Sequence, residues 1–394
     1  MKRPNWTTGY CTNVHAGTDV PTIQANLDQY AVAAKKELQL PELGVGLWLP
    51  AEATTQLLDS RRAEEFSDWL GQRGLRSYTI NGFPYDNFHQ PIVKHRVYEP
   101  GWWTESRRDY TIGLALVLDR LLPPGELGSI STLPIGWPSS SGWRTDQQRL
   151  QQAAQHLHQV ADRLHELEQS SGRRIVIAIE PEPGCLLDTA DDVTNFFEHY
   201  LQQQTHRRYL TVCHDICHSA VMFEDQLEVL QAYSAAGLTV GKVQVSSAIE
   251  VHWAVMSTGR KQEALRQLME FAEDRYLHQT GRFQHPQGLT LAEDLPDLTQ
   301  GIQAQSIQDD IWRVHFHVPI FLEAFGNLAS TQQEILRCLR YLRHPEAPTF
   351  TGHLEVETYA WSVLPAVMQR EGLGKDIARE ISWLRQQLLR EGLN

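Results

Sequence analysis

No stretch of this 394-residue chain approaches the run of about 20 apolar residues that a membrane-spanning helix needs. No apolar signal core follows Met1-Lys2-Arg3-Pro4-Asn5-Trp6, so no secretory leader is expected. Cysteine is sparse and odd in number: Cys11, Cys185, Cys213, Cys217 and Cys338. Such a set builds no disulfide framework and points to reduced thiols in a cytoplasm. Basic residues are outnumbered, 35 against 48 acidic ones, for a net charge of −13. That balance argues against nonspecific binding to nucleic acid or anionic lipid. Low-complexity tracts and close internal repeats are absent too. No turn of the GxGxxG or GxxxxGK type follows the first β-rich run, which argues against a doubly wound nucleotide-binding sheet.

What is there is an alternation of short β-rich runs with long amphipathic segments, as expected for βα units around a parallel sheet. Strands are predicted at Tyr10–His15, Gly44–Leu49, Ser77–Asn81, Ser129–Leu133, Arg174–Glu180, Tyr209–Asp215, Val240–Val245 and Thr351–Glu357. Helices are predicted at 53–71, 104–122, 144–169, 189–204, 223–235, 330–343 and 375–390. In the third of these, Leu150, Ala153, Leu157, Val160, Leu164 and Leu167 recur at steps of three and four. Eight strands alternating with helices predict a single α/β (β/α)8 barrel over residues 1–394, for which about 250 residues would suffice. The excess falls into an insertion after the seventh strand, about 248–312, with its own helical stretch Lys261–Tyr276. A second excess is an aromatic-rich loop after the third strand, 83–103, carrying Phe83, Tyr85, Phe88, Tyr98, Trp102 and Trp103. This loop can be read as a roof over a site, as a packed loop or as a subunit contact, which leaves room for a homo-oligomer.

In such a barrel, catalytic groups sit at the C-terminal ends of the strands. The fifth apolar run ends in Glu180, followed by Pro181-Glu182-Pro183. The sixth ends in His214-Asp215-Ile216-Cys217-His218, the seventh carries Gln244, and the last ends in Glu357. After the long insertion, His315 and His317 share one face at strand spacing. Carboxylates at the ends of apolar strands are costly without a cationic partner, and the neighbouring strand ends offer histidines rather than lysines or arginines. Oxygen and imidazole groups converging from several strands suit a divalent cation such as Zn²⁺, Mn²⁺ or Mg²⁺. Cys213 and Cys217 read as packing residues rather than ligands.

Glu180 on the fifth strand, Asp215-x-x-His218 on the sixth and Leu354-Glu355-Val356-Glu357-Thr358 on the eighth resemble the xylose-isomerase-like TIM-barrel superfamily. That superfamily includes ketose 3-epimerases, hydroxypyruvate isomerases, inosose dehydratases and abasic-site endonucleases with zinc clusters. More narrowly, with Tyr10–His15, Asn81–Tyr85, Phe88-His89 and Ser129–Pro134, the chain resembles the EboE proteins. These are encoded in bacterial ebo operons associated with traffic of a secondary-metabolite precursor. The resemblance to the epimerases implies metal ligands at Glu180, Asp215, Gln244 and Glu357, with His218 holding a substrate oxygen. Glu182 is the one further acid at that mouth. Gln244 replaces the usual histidine and favours Mn²⁺ or Mg²⁺ there. The resemblance to the endonucleases implies a second, zinc-like ion on His218, His315 and His317. Their third- and fourth-strand histidines have no match, since Asn81 and Thr132 stand in that region, so a three-metal cluster is not expected.

The resulting expectation is a metal-dependent isomerase or epimerase, with one or two divalent ions, acting on a sugar- or cyclitol-like hydroxycarbonyl compound through Glu180, Glu357, His218 and Glu182. A metal-dependent phosphoester hydrolase and a non-catalytic carrier of a metabolite are the alternatives.

Overall fold

Ile175–Ile179 is apolar at every position, and a strand of that kind is stable only where both its faces are covered, as in a parallel sheet lined by helices. The computed structural model, which describes residues 6–307, 310–365, 368–369 and 372–392, places it so. The strands in chain order are β1 (Thr7–Cys11), β2 (Leu43–Trp48), β3 (Leu75–Asn81), β4 (Leu127–Thr132), β5 (Arg174–Ile179), β6 (Leu210–Asp215) and β7 (Val240–Val245). They continue with β8 (Ile249–His252), β9 (Thr280–Gln284), β10 (Gly288–Ala292), β11 (Ile311–Val314), β12 (Ala324–Phe325), β13 (Leu328–Ser330) and β14 (His353–Val356). Strands β1 to β7 and β14 close into a parallel barrel in the order β1-β14-β7-β6-β5-β4-β3-β2. This is the expected (β/α)8 barrel.

The first expected strand is displaced. Tyr10 and Cys11 belong to β1, but Thr12–Val14 form a 3-10 turn, which lifts Asn13 to the barrel mouth instead of continuing the sheet. The helix expected over 144–169 is Trp143–Ser171, closed by Gly172 in the left-handed region. The stretch expected over 53–71 is two helices, Ala51–Leu57 and Ser60–Gln72, the second capped by the Asp59 side chain on the Arg62 N–H. Helical turns Val20–Asn26, Leu27–Ala31 and Val32–Glu37, which the sequence reading passed over, start from the Asp19 cap.

The insertion is larger than the expected 248–312. Strands β8 to β13 form a second sheet in the order β10-β9-β11-β8-β13-β12, so the excursion runs on to Ser330. It has its own apolar core, in which Trp253 meets Trp312 edge to face at 5.0 Å. Its expected helix, Lys261–Tyr276, is Thr258–Leu268 with a short 3-10 turn to Phe271, which leaves Tyr276 free to face the barrel mouth. The aromatic loop docks on this insertion: the Val93 and Lys94 N–H groups both donate to Arg275 O, at 2.8 and 2.9 Å.

Inside the barrel, Lys242 on β7 pairs with Glu355 on β14, both fully buried. Gly46 of β2 makes the room: a Cβ there would overlap Glu355 Oε1.

Candidate metal centre

Each acid of the site is delivered by the end of a strand. Glu180 follows β5, with its N–H on Thr132 O at 2.9 Å. Asp215 ends β6 and caps the short helix Ile216–Val221: its Oδ1 accepts from the His218 N–H at 2.9 Å and from the Ser246 hydroxyl at 2.7 Å. Its Oδ2 is left without a partner. Glu357 follows β14, and its Oε1 accepts from Asn13 Nδ2 at 2.6 Å and Asn81 Nδ2 at 2.9 Å. All three side chains are buried, and a carboxylate oxygen of each lies within 4.8 Å of the others. Gln244 is fully buried on β7 with neither amide atom hydrogen-bonded, and Glu180 Oε2 is also unpartnered.

Beside this trio stand three imidazoles. The sequence reading put His315 and His317 within a strand, but β11 ends at Val314. The two residues lie on the extended stretch beyond it, held by His315 N–H to Gln279 O at 2.8 Å and Val318 N–H to Ser247 O at 3.0 Å. Every ring donates from Nδ1 to an oxygen: His218 to Pro181 O at 2.7 Å, His315 to Gln279 Oε1 at 2.7 Å and His317 to Glu357 O at 2.8 Å. The Nε2 atoms are therefore the ones free to ligate, the arrangement found when a histidine is held for a metal. His218 Nε2 and His315 Nε2 face each other at 3.1 Å, and His317 Nε2 has no partner. Asp215, His218 and His317 form one compact donor group, and Cys217, His315 and His317 another.

The electrostatics fit a cation. Burial pushes the Glu180 carboxyl up to about 7, against the pull of His218. Burial, with Glu180 and Asp215 close by, pushes Glu357 well above the usual carboxylate range. Burial also acts against the charge on Asp215, but His218, His317 and its hydrogen bonds outweigh it and hold that carboxyl low. Burial and the neighbouring His218 hold His315 well below its ordinary value. Three buried carboxyls beside three imidazoles so enclosed are what a divalent ion stabilises, and an oxygen set beside a nitrogen set suits one or two of them.

The floor opens into a cavity. Its walls are Phe83, Phe88 and Tyr98 from the aromatic loop, Tyr276 and Leu277 from the insertion, and Tyr359. Of that loop's aromatics Phe83, Phe88 and Tyr98 roof the cavity, whereas Tyr85, Trp102 and Trp103 do not line it and Trp102 is fully buried. Glu182 lines the same cavity, but its Oε1 is taken by the Tyr98 hydroxyl at 2.7 Å and the Gln279 amide at 3.2 Å. His214, on the same β6 terminus, points away and meets Gln226 Oε1 at 2.8 Å. Sequence reasoning missed Asn13, Tyr98, Gln279 and Ser246 as parts of the site. A signal existed for one of them, since Tyr98 lies in the aromatic loop.

Neither a protein-family model nor a curated protein sequence matches the chain. Solved structures do. A xylose isomerase-like TIM barrel protein from Mycobacterium smegmatis, in complex with magnesium, is 11% identical with a TM-score of 0.53, over 98% of this chain and 97% of that one. A xylose isomerase domain protein from Alicyclobacillus acidocaldarius is 11% identical with a TM-score of 0.51, over 98% and 100%. A D-tagatose 3-epimerase-like protein is 10% identical with a TM-score of 0.51, over 98% of each chain. At such identities the likeness is one of fold: the chain shares with them the closed parallel (β/α)8 barrel.

Proposed function

We propose that the chain is a divalent-metal-dependent isomerase or epimerase acting on a small hydroxycarbonyl metabolite, a sugar- or cyclitol-like compound, in processing or traffic of a secondary-metabolite precursor of the kind associated with EboE proteins. The observation that carries this is the carboxylate trio of Glu180, Asp215 and Glu357, of which Glu180 and Glu357 line a roofed cavity. Glu180, Asp215, Glu357 and the Gln244 carbonyl would hold the ion. Bound there, it would polarise a substrate carbonyl and acidify the adjacent carbon-bound proton.

The rest of the chemistry belongs to the chain. Glu180 and Glu357 stand on β5 and β14, three strands apart around the ring, and so approach a bound substrate from different sides. Each carboxyl has two oxygens, so that one can hold the ion while the other meets the substrate, which suits taking a proton from one face of a carbon and returning one to the other. His218 Nε2 can hold a substrate oxygen, and Glu182 fixes Tyr98 and Gln279 at the wall. The roof of Phe83, Phe88 and Tyr276 excludes water from the carbanion-like species.

A second reading, a two-metal phosphoester hydrolase, draws on one observation: Asp215 belongs both to the carboxylate trio and to the group with His218 and His317, as a carboxylate bridging two ions would. Solvent proton–deuterium exchange followed by NMR across ketoses and inososes separates the readings. Exchange by the wild type that is absent in Glu180→Gln supports the isomerase. Release of phosphate from model esters with no exchange supports the hydrolase, and saturable binding with neither reaction supports a carrier.

A further inference from the structure

We propose that Cys217 completes a second, softer metal site with His315 and His317, so that the pocket floor takes a thiophilic ion such as Zn²⁺ or Co²⁺ beside the ion of the carboxylate trio. This rests on the reading of the floor as a metal centre. The Cys217 sulfur and a ring nitrogen each of His315 and His317 lie within 4.8 Å of one another, and all three residues are buried. Zinc–sulfur and zinc–nitrogen bonds of about 2.3 and 2.0 Å place such donors a little over 3 Å apart, which small side-chain adjustments reach. Independently, His317 Nε2 is buried without a hydrogen-bond partner, its Nδ1 spent on Glu357 O. His218 Nε2 lies 3.1 Å from His315 Nε2, at the edge of this group.

Local structure holds the cysteine in place. Cys217 sits on the first turn of Ile216–Val221, two residues after Asp215. One hydroxyl organises both: Ser246 Oγ accepts the Cys217 N–H at 2.9 Å and donates to Asp215 Oδ1 at 2.7 Å. Thus the helix start that presents a carboxylate to one donor set presents a thiol to the other. Among the described residues, Cys217 is the thiol that joins two imidazoles in such a group. Cys217 also meets the Phe316 N–H and packs beside Val221 and Ala248, while Cys11 accepts from Asn81 Nδ2 at 3.3 Å. Sulfur and imidazole select zinc-like ions, whereas carboxylates select harder ones, so the two halves of the floor differ in preference. Binding replaces the thiol proton by the metal and releases that proton to solvent.

The test is a Co²⁺ titration of metal-free full-length protein followed by electronic absorption. The expected spectrum has visible bands of a four-coordinate ion and a near-ultraviolet sulfur-to-cobalt charge-transfer band. Cys217→Ser should lose the charge-transfer band and weaken Co²⁺ binding by roughly tenfold or more, while Cys11→Ser keeps both. Bound cobalt without that band in the wild type, or a band that survives Cys217→Ser or Cys217→Ala, overturns the proposal. Mn²⁺ binding, followed by electron paramagnetic resonance, reports on the carboxylate trio and should be unchanged in Cys217→Ser. Persistent Mn²⁺ binding with no cobalt–sulfur band overturns the thiol site alone, and absence of both ions overturns the metal centre with it.

Discussion

His218 Nε2 and His315 Nε2 point at each other across 3.1 Å, each ring's other nitrogen donating to a protein oxygen. Burial acts against a charge on His218, but Asp215, Glu182 and Glu180 outweigh it and raise the ring above its ordinary value, so in the metal-free chain its Nε2–H donates to His315 Nε2. A bound ion would replace that proton and turn the hydrogen bond into ligation. In His315→Gln the amide oxygen can accept from His218 Nε2–H in place of the imidazole, so the metal-free variant should melt close to the metal-free wild type. Saturating Zn²⁺ should stabilise the wild type by about 4 kcal/mol at a thousandfold excess over Kd and the variant by much less. Differential scanning fluorimetry with and without chelator measures both.

The relay behind that imidazole makes a separate prediction. Gln279 accepts from His315 with Oε1 and donates from Nε2 to Tyr98, Glu182 and Pro183 O. Gln279→Leu should leave the fold in place but weaken metal binding by roughly 10- to 100-fold. Isothermal titration with Zn²⁺ checks this.

Lys242 and Glu355 form a fully buried ion pair below the site. Lys242→Met leaves a carboxylate uncompensated in the barrel and should cost about 3–5 kcal/mol. Adding Glu355→Gln should restore most of that loss. Urea denaturation of the single and double variants gives the answer, and equal losses in both would show that the charge is not the cause.

Glu224, whose Oε1 accepts the Ala190 N–H at 2.9 Å, is raised from 4.5 to about 7 by burial and by Asp188, Asp191 and Asp192. A carboxyl raised in the folded state holds its proton there more tightly than in the unfolded chain. Its contribution is thus complete below about pH 4.5 and is lost as pH rises through about 7. Glu224→Gln keeps the acceptor and removes the titration, so it should be more stable than wild type at pH 8 by about 1–3 kcal/mol and no more stable at pH 4. Thermal melts across that range test it.

The barrel was legible because eight apolar runs of strand length alternate with helical periodicity, and because the acids follow those runs directly. Glu180, Asp215 and Glu357 needed only the rule that strand C-termini converge. The partners that complete the site were hidden because they come from turns and loops whose spatial neighbours lie far along the chain. Asn13 reaches Glu357 from a 3-10 turn that reads as strand, and Gln279 reaches Glu182 from within the insertion. Lys242 was legible in principle: a lysine in the buried run Val240–Val245 must find a carboxylate, and Glu355 stands on the adjoining strand. The insertion's end was misplaced because its last two strands are only two and three residues long, too short for a period to show.

The account rests on the floor of the barrel holding a divalent ion, and metal content measures that directly. Purified protein, dialysed and then analysed for its elements, should retain one or two divalent ions per chain, and Glu180→Gln combined with Asp215→Asn should lose the ion of the carboxylate trio. A wild type that carries no divalent metal and takes up neither Mn²⁺, Mg²⁺ nor Zn²⁺ on titration would contradict it.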